Sequence, residues 1–96
     1  MASSVIPKEL GINPLYSISG NSSTTFSFER ETTHIIVACT YARFKMWVIK
    51  VENNNAFAFE VAGSDSSWSI SIEGRDVTVT NNTQFGGNIS VFSSPY

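Results

Sequence analysis

The stretch Trp68-Ser69-Ile70-Ser71-Ile72-Glu73-Gly74-Arg75-Asp76-Val77-Thr78-Val79-Thr80-Asn81 decides the fold. Its first half sets Trp68, Ile70 and Ile72 against Ser69, Ser71 and Glu73, and its second half sets Val77 and Val79 against Thr78 and Thr80. A repeat of two is the geometry of a pleated strand with one buried and one wet face. Gly74-Arg75, between the halves, is a two-residue loop with Gly first, the signature of a type II′ hairpin.

The same alternation continues outward in both directions. Phe26-Ser27-Phe28 and Phe57-Ala58-Phe59-Glu60-Val61 each offer an apolar set of alternate residues for a core. Eight strands are expected, over 15–19, 24–30, 34–41, 45–52, 56–62, 68–73, 76–81 and 88–93. The connectors Gly20-Asn21-Ser22-Ser23 and Asn53-Asn54-Asn55 consist of residues that turn tightly, Gly and Asn tolerating a positive φ. Many short, evenly spaced strands predict an all-β chain. The expected form is a jelly-roll-like β-sandwich of about eight antiparallel strands over residues 15–96. Residues 1–14 read as an N-terminal arm whose aliphatics Val5, Ile6, Leu10 and Ile12 should dock on this domain's own sheet or on a neighbouring chain.

Two strands are apolar on both faces. Ile35, Val37, Trp47 and Ile49 and their alternates Ile36, Ala38, Met46 and Val48 cannot all face one core. With Ile35 and Val37 grouped beside Trp47 and Ile49 as the inner set, Ile36, Met46 and Val48 are left outside. These three, with the four aliphatics of the arm, form the expected interface for oligomerisation or attachment.

Composition narrows the function classes. The 96 residues make one domain with a thin core, and only 15% are charged. Polarity comes instead from 15 Ser, 8 Thr and 8 Asn, as in many secreted or virion-exposed β-proteins. A net charge of −2 with six scattered basic residues gives no pull toward nucleic acid or anionic lipid. Arg43 and Lys45 flank Phe44, a spacing that reads as the charged wet face of one strand. No stretch has the length of a membrane span, and the N-terminus lacks the pattern of a signal peptide, so synthesis in the cytoplasm without classical secretion is expected. The single cysteine, Cys39, excludes an internal disulfide and is expected to be a buried small hydrophobe.

Catalytic chemistry finds no foothold. His34 is the one histidine, has no partner motif, and is expected at a strand end or on the surface. Metal sites need several ligands at workable spacing, and none recurs here. Gly86-Gly87 precedes a strand, not a helix, and so makes no phosphate loop. No catalytic, cofactor-binding or metal-binding residues are assigned, and the chain is expected not to be an enzyme. Aromatics near strand ends are the remaining binding chemistry: Tyr41, Phe44 and Phe85 are candidates for stacking on a carbohydrate beside Asn and Asp.

The succession of the strands 22–28, 34–39 and 44–49 and the closing hairpin 68–83 resembles small β-sandwich modules at the C-terminal ends of bacteriophage and prophage tail-fibre and virion structural proteins. The resemblance implies a trimeric jelly roll with no catalytic residues. It implies a virion location as a fibre tip, cap or capsid-decorating protein, and as partners other copies of the chain, other virion proteins and host-surface carbohydrate. The alternative is a free carbohydrate-binding module.

Overall fold

The computed structural model describes residues 3–5, 15–63 and 66–94, with side chains from residue 15 onward. Its strands are β1 (Ser3–Val5), β2 (Leu15–Ile18), β3 (Ser23–Ser27), β4 (Thr33–Thr40), β5 (Arg43–Glu52), β6 (Asn55–Gly63), β7 (Trp68–Glu73), β8 (Asp76–Asn81) and β9 (Gly87–Ser93). They form two sheets, in the order β1-β3-β8-β7 and β2-β9-β4-β5-β6. The chain is an all-β sandwich. All ladders are antiparallel except the β1 edge, where Ser3–Val5 runs parallel to β3.

The ladders β2·β9 and β3·β8 are nested, one in each sheet, as in a rolled antiparallel hairpin. Inside them the chain instead forms a β4-β5-β6 meander and the β7-β8 hairpin. Gly74 has φ 61°, as the first position of a II′ turn requires. Asn53 and Asn54 both have positive φ, at 54° and 65°, and close the β5-β6 turn in two residues.

The core lies between the sheets. Ile18, Ile36, Ala38, Trp47, Ile49, Val51, Ile89 and Val91 from the five-stranded sheet meet Phe26, Trp68, Val77 and Val79 from the other, with Phe28 just beyond β3. Tyr16 sets its ring edge-on to Phe26 at 5.1 Å. Burying this set supplies the stabilisation, at about 1.5–3 kcal/mol for each large apolar side chain before ordering costs.

Three expectations about facing are corrected. Ile36 is fully buried in the core and cannot belong to an outer interface; Ile35 and Val37 take its place outside. Phe57, Phe59 and Val61 are exposed, and the small residues Ala56 and Ala58 point inward opposite Val51 and Ile49. The cause is the same in both strands. The β4-β5 and β5-β6 turns have two residues each, so Ile36 pairs with Trp47 and Phe59 with Val48. The strand limits 34–41, 45–52 and 56–62 imply three-residue loops, and a slip of one residue turns every side chain to the other face. Cys39, thirdly, is half-buried on the outer face between Asn88 and Phe44, not in the core.

Candidate functional site

The two outer faces of the sandwich differ in kind. On the four-stranded sheet, hydroxyls pair across strands: Ser23 with Thr80 at 2.8 Å, Thr25 with Thr78 at 2.8 Å, and Ser27 donates to Asp76 at 2.7 Å. Ser69, Ser71 and Glu73 extend these rows onto β7. Such a face is saturated with polar groups that water also satisfies.

The five-stranded sheet is apolar outside as well as inside. Register places Phe92, Ile35, Val48 and Phe59 in one row across four strands. The next row carries Leu15, Ser90, Val37 and Met46, and ends at Ala62 beside a β-bulge at Met46/Trp47. Phe44 lies beyond, opposite Cys39. Phe57 is 49% exposed and Phe59 55%. Lys50, whose Nζ donates to Thr33 Oγ1 at 2.7 Å, borders the patch on the other side.

A second feature lies at the end of the sandwich where β4 turns into β5 and β8 leaves for β9. A cleft of about 290 Å3 opens there between the 41–42 turn, residues 66–67 and the 82–85 loop. Tyr41 and Phe85 meet edge-to-face, their centroids 5.4 Å apart and their planes at 82°. Arg43 Nη1 donates to Ser67 Oγ at 3.2 Å, and Asn82 Nδ2 to the Ser66 carbonyl at 3.0 Å and Ser69 Oγ at 3.2 Å. Thr40 also lines the cleft, and its buried Oγ1 has no hydrogen-bond partner.

One buried amide holds this end together. Asn81 is fully buried; its Nδ2 donates to the carbonyls of Phe85 at 2.7 Å and Ser19 at 3.3 Å, and its Oδ1 accepts from the Thr83 backbone N–H at 2.9 Å and hydroxyl at 2.7 Å. All the hydrogen-bonding capacity of the amide is used, and the 82–85 loop that carries Phe85 is fixed to the β-core.

Of the expected ligand-binding residues, Tyr41 and Phe85 come together; Phe44 is separated from them, on the outer sheet face. Of the expected interface residues, Met46 and Val48 lie on the apolar outer face and Ile36 does not. Val5 is placed only by its backbone pairing with Ser27, and Ile6, Leu10 and Ile12 lie outside the described residues. Arg43, Ser67 and Asn82 were not anticipated as cleft residues. The available signal was strand counting: alternate strand ends put 41–43, 66–67 and 82–85 at one end.

His34 is a strand-end residue, as expected, but buried and not on the surface. Its Nε2 lies 3.3 Å from the Arg30 carbonyl, which can only accept, so in the neutral ring the proton sits on Nε2 and Nδ1 accepts from Ser93 Oγ at 2.7 Å. Its ring also packs on Phe28 at 4.3 Å. Burial holds the imidazole below its usual pKa of 6.5; the Arg30 carbonyl opposes this, and the Arg30 and Lys50 charges add to it. Its hydrogen-bond partners, Ser93 and the Arg30 carbonyl, belong to the β4-β9 end of the sheet and the preceding loop, away from the Tyr41–Phe85 cleft. Among the described residues, no cluster of His, Cys, Asp or Glu is placed to hold a metal ion, and no helix is long and apolar enough to cross a membrane. No protein-family model, curated protein or solved structure matches the chain.

Proposed function

We propose that the chain is a non-enzymatic structural and adhesion module that works as a homo-oligomer, a trimer in the simplest reading, with the outer face of the five-stranded sheet closed against further copies. The observation that carries this reading is the apolar row Phe92–Ile35–Val48–Phe59 with its flanking Leu15, Val37, Met46, Phe44 and Phe57. With a Phe side chain taken as roughly 200 Å2, the four outer phenylalanines and their neighbours expose on the order of 500 Å2 of apolar surface. That is most of the roughly 800 Å2 per partner of a standard interface, whereas the hydroxyl-paired face opposite offers nothing comparable. A second copy is favoured over an unrelated partner because only one charged side chain, Lys50, stands among these rows, so the patch carries little charge to select another protein.

A particle of the phage type is the proposed setting, as a fibre tip, cap or capsid-decorating protein in the virion. This part rests on the pattern likeness of most of residues 20–93 to virion modules. Three-fold symmetry suits fibres and capsid local axes, and repeated weak contacts gain avidity. Light scattering should give a multiple of the 10.5 kDa chain mass. The half-buried Cys39 thiol, on the same face, should react more slowly as concentration rises and assembly proceeds. A monomer at every concentration, with a constant Cys39 labelling rate, would refute self-association. Absence of the protein from purified particles would refute the virion setting.

A further inference from the structure

The geometry points to the cleft between Tyr41 and Phe85 as a binding site for a pyranose sugar bearing a carboxylate, a site separate from the apolar sheet face and independent of self-association. Tyr41 is 85% exposed and sits at φ 54°. A bulky residue in the left-handed region is strained by about 1–2 kcal/mol, where Asn or Gly is at ease. The β7-β8 turn, which likewise has a positive φ at its first central residue only, places Gly74 there. The backbone of this turn therefore favours glycine over tyrosine, and outlying backbone of this kind collects at ligand sites.

The ring does have a partner, Phe85, set perpendicular to it. Two exposed rings at right angles give a face on which the C–H side of a sugar ring stacks and an edge that limits its rotation. Polar groups suited to hydroxyls surround them. Asn82 has both amide hydrogens committed to Ser66 and Ser69, which fixes its side chain. Its Oδ1 makes no hydrogen bond among the described residues and can accept one from a ligand. At about 290 Å3 the cleft is at the small end of the ~300–1,000 Å3 range of small-molecule sites and suits one or two sugar rings.

Charge selects the sugar class. Among the described residues lining the cleft, Arg43 is the sole charged one, and its guanidinium bonds one neutral hydroxyl, Ser67 Oγ. No carboxylate of the described residues pairs with it. Its remaining donors form the planar fork that carboxylates accept. The 82–85 side of the cleft is already anchored by Asn81, so binding costs little ordering there.

The test titrates the full chain, labelled with 15N, with the methyl glycosides of glucuronic acid, galacturonic acid and N-acetylneuraminic acid, and with methyl glucoside and methyl galactoside as neutral counterparts. At least one acid is expected to shift the amides of 40–43, 66–67 and 82–85, and to bind about tenfold more tightly than the neutral sugars. Tyr41→Gly should abolish the shifts while leaving the melting temperature close to the parent's, because relief of the positive φ offsets the lost contact with Phe85. Arg43→Gln should remove the preference for the acid. The proposal is overturned if none of the acids moves these amides, if neutral and acidic sugars bind equally, or if Tyr41→Gly binds as the parent does.

Discussion

Replacing Phe57 and Phe59 together by Ser tests whether the apolar sheet face is an interface. Both rings lie on the edge strand β6, 49% and 55% exposed, opposite Lys50 and Val48. For a side chain of roughly 200 Å2, each leaves about 100 Å2 uncovered within one chain. At about 25 cal/mol per Å2, closing that area against another copy contributes about 2.5 kcal/mol per ring. One replacement should then weaken each contact by about 60-fold, and the pair by at least about 1,000-fold if the sites are roughly additive. The folded monomer should lose far less, since the half of each ring facing solvent does nothing for it. Sedimentation equilibrium over a range of concentrations reads the association, and urea melts read the monomer. A double variant that associates as tightly as the parent would show that the face is not the interface.

His34 makes stability pH-dependent with a definite sign. Its folded pKa lies below the unfolded 6.5, so the unfolded chain binds the proton first and stability falls as pH drops below about 6.5. His34→Gln should flatten the stability profile between pH 7 and 5, and an unchanged slope would exclude this residue as the cause. Asn81→Ala should cost about 2–4 kcal/mol, because Thr83 N–H and the Phe85 and Ser19 carbonyls lose their partner; a melting temperature within a degree of the parent would contradict that role. Gly87→Ala drives a methyl into Thr40 Oγ1 and to 2.7 Å from the Cys39 carbonyl, whereas at Gly86 the nearest atom is 3.5 Å away. Thermal melts should therefore show a large loss for the first substitution and little change for the second.

Much of the fold was legible because period-two patterning is local. The hairpin 68–81 was readable to the residue, since its turn has two residues and its apolar sets match. The direction in which β4 and β6 face was not legible, because both strands are apolar or small on both sides and the pattern is compatible with either register. What decides it is loop length: Tyr41-Ala42 and Asn53-Asn54 each turn in two residues, one at a positive φ that a tyrosine seldom takes. The cleft was half legible. Tyr41 and Phe85 stand out as aromatics beside turns, but their meeting depends on β4 and β8 ending at the same end of the sandwich. Arg43, Ser67 and Asn82 looked like ordinary polar loop or strand-end residues, and their convergence is tertiary.

The place of β9 at the interior of the five-stranded sheet, between β2 and β4, bears on how the chain folds during synthesis. The β4-β5-β6 meander is made from neighbouring segments and can pair early. Its β4 edge stays open until residues 87–93 emerge, and β3 likewise waits for β8. Such long-range closures are slow steps, and an open strand edge that is apolar on both faces is the kind that captures another chain. The last strand therefore acts as a bolt. A chain shortened before Gly87 should leave the ribosome as an aggregating meander and not as a smaller sandwich.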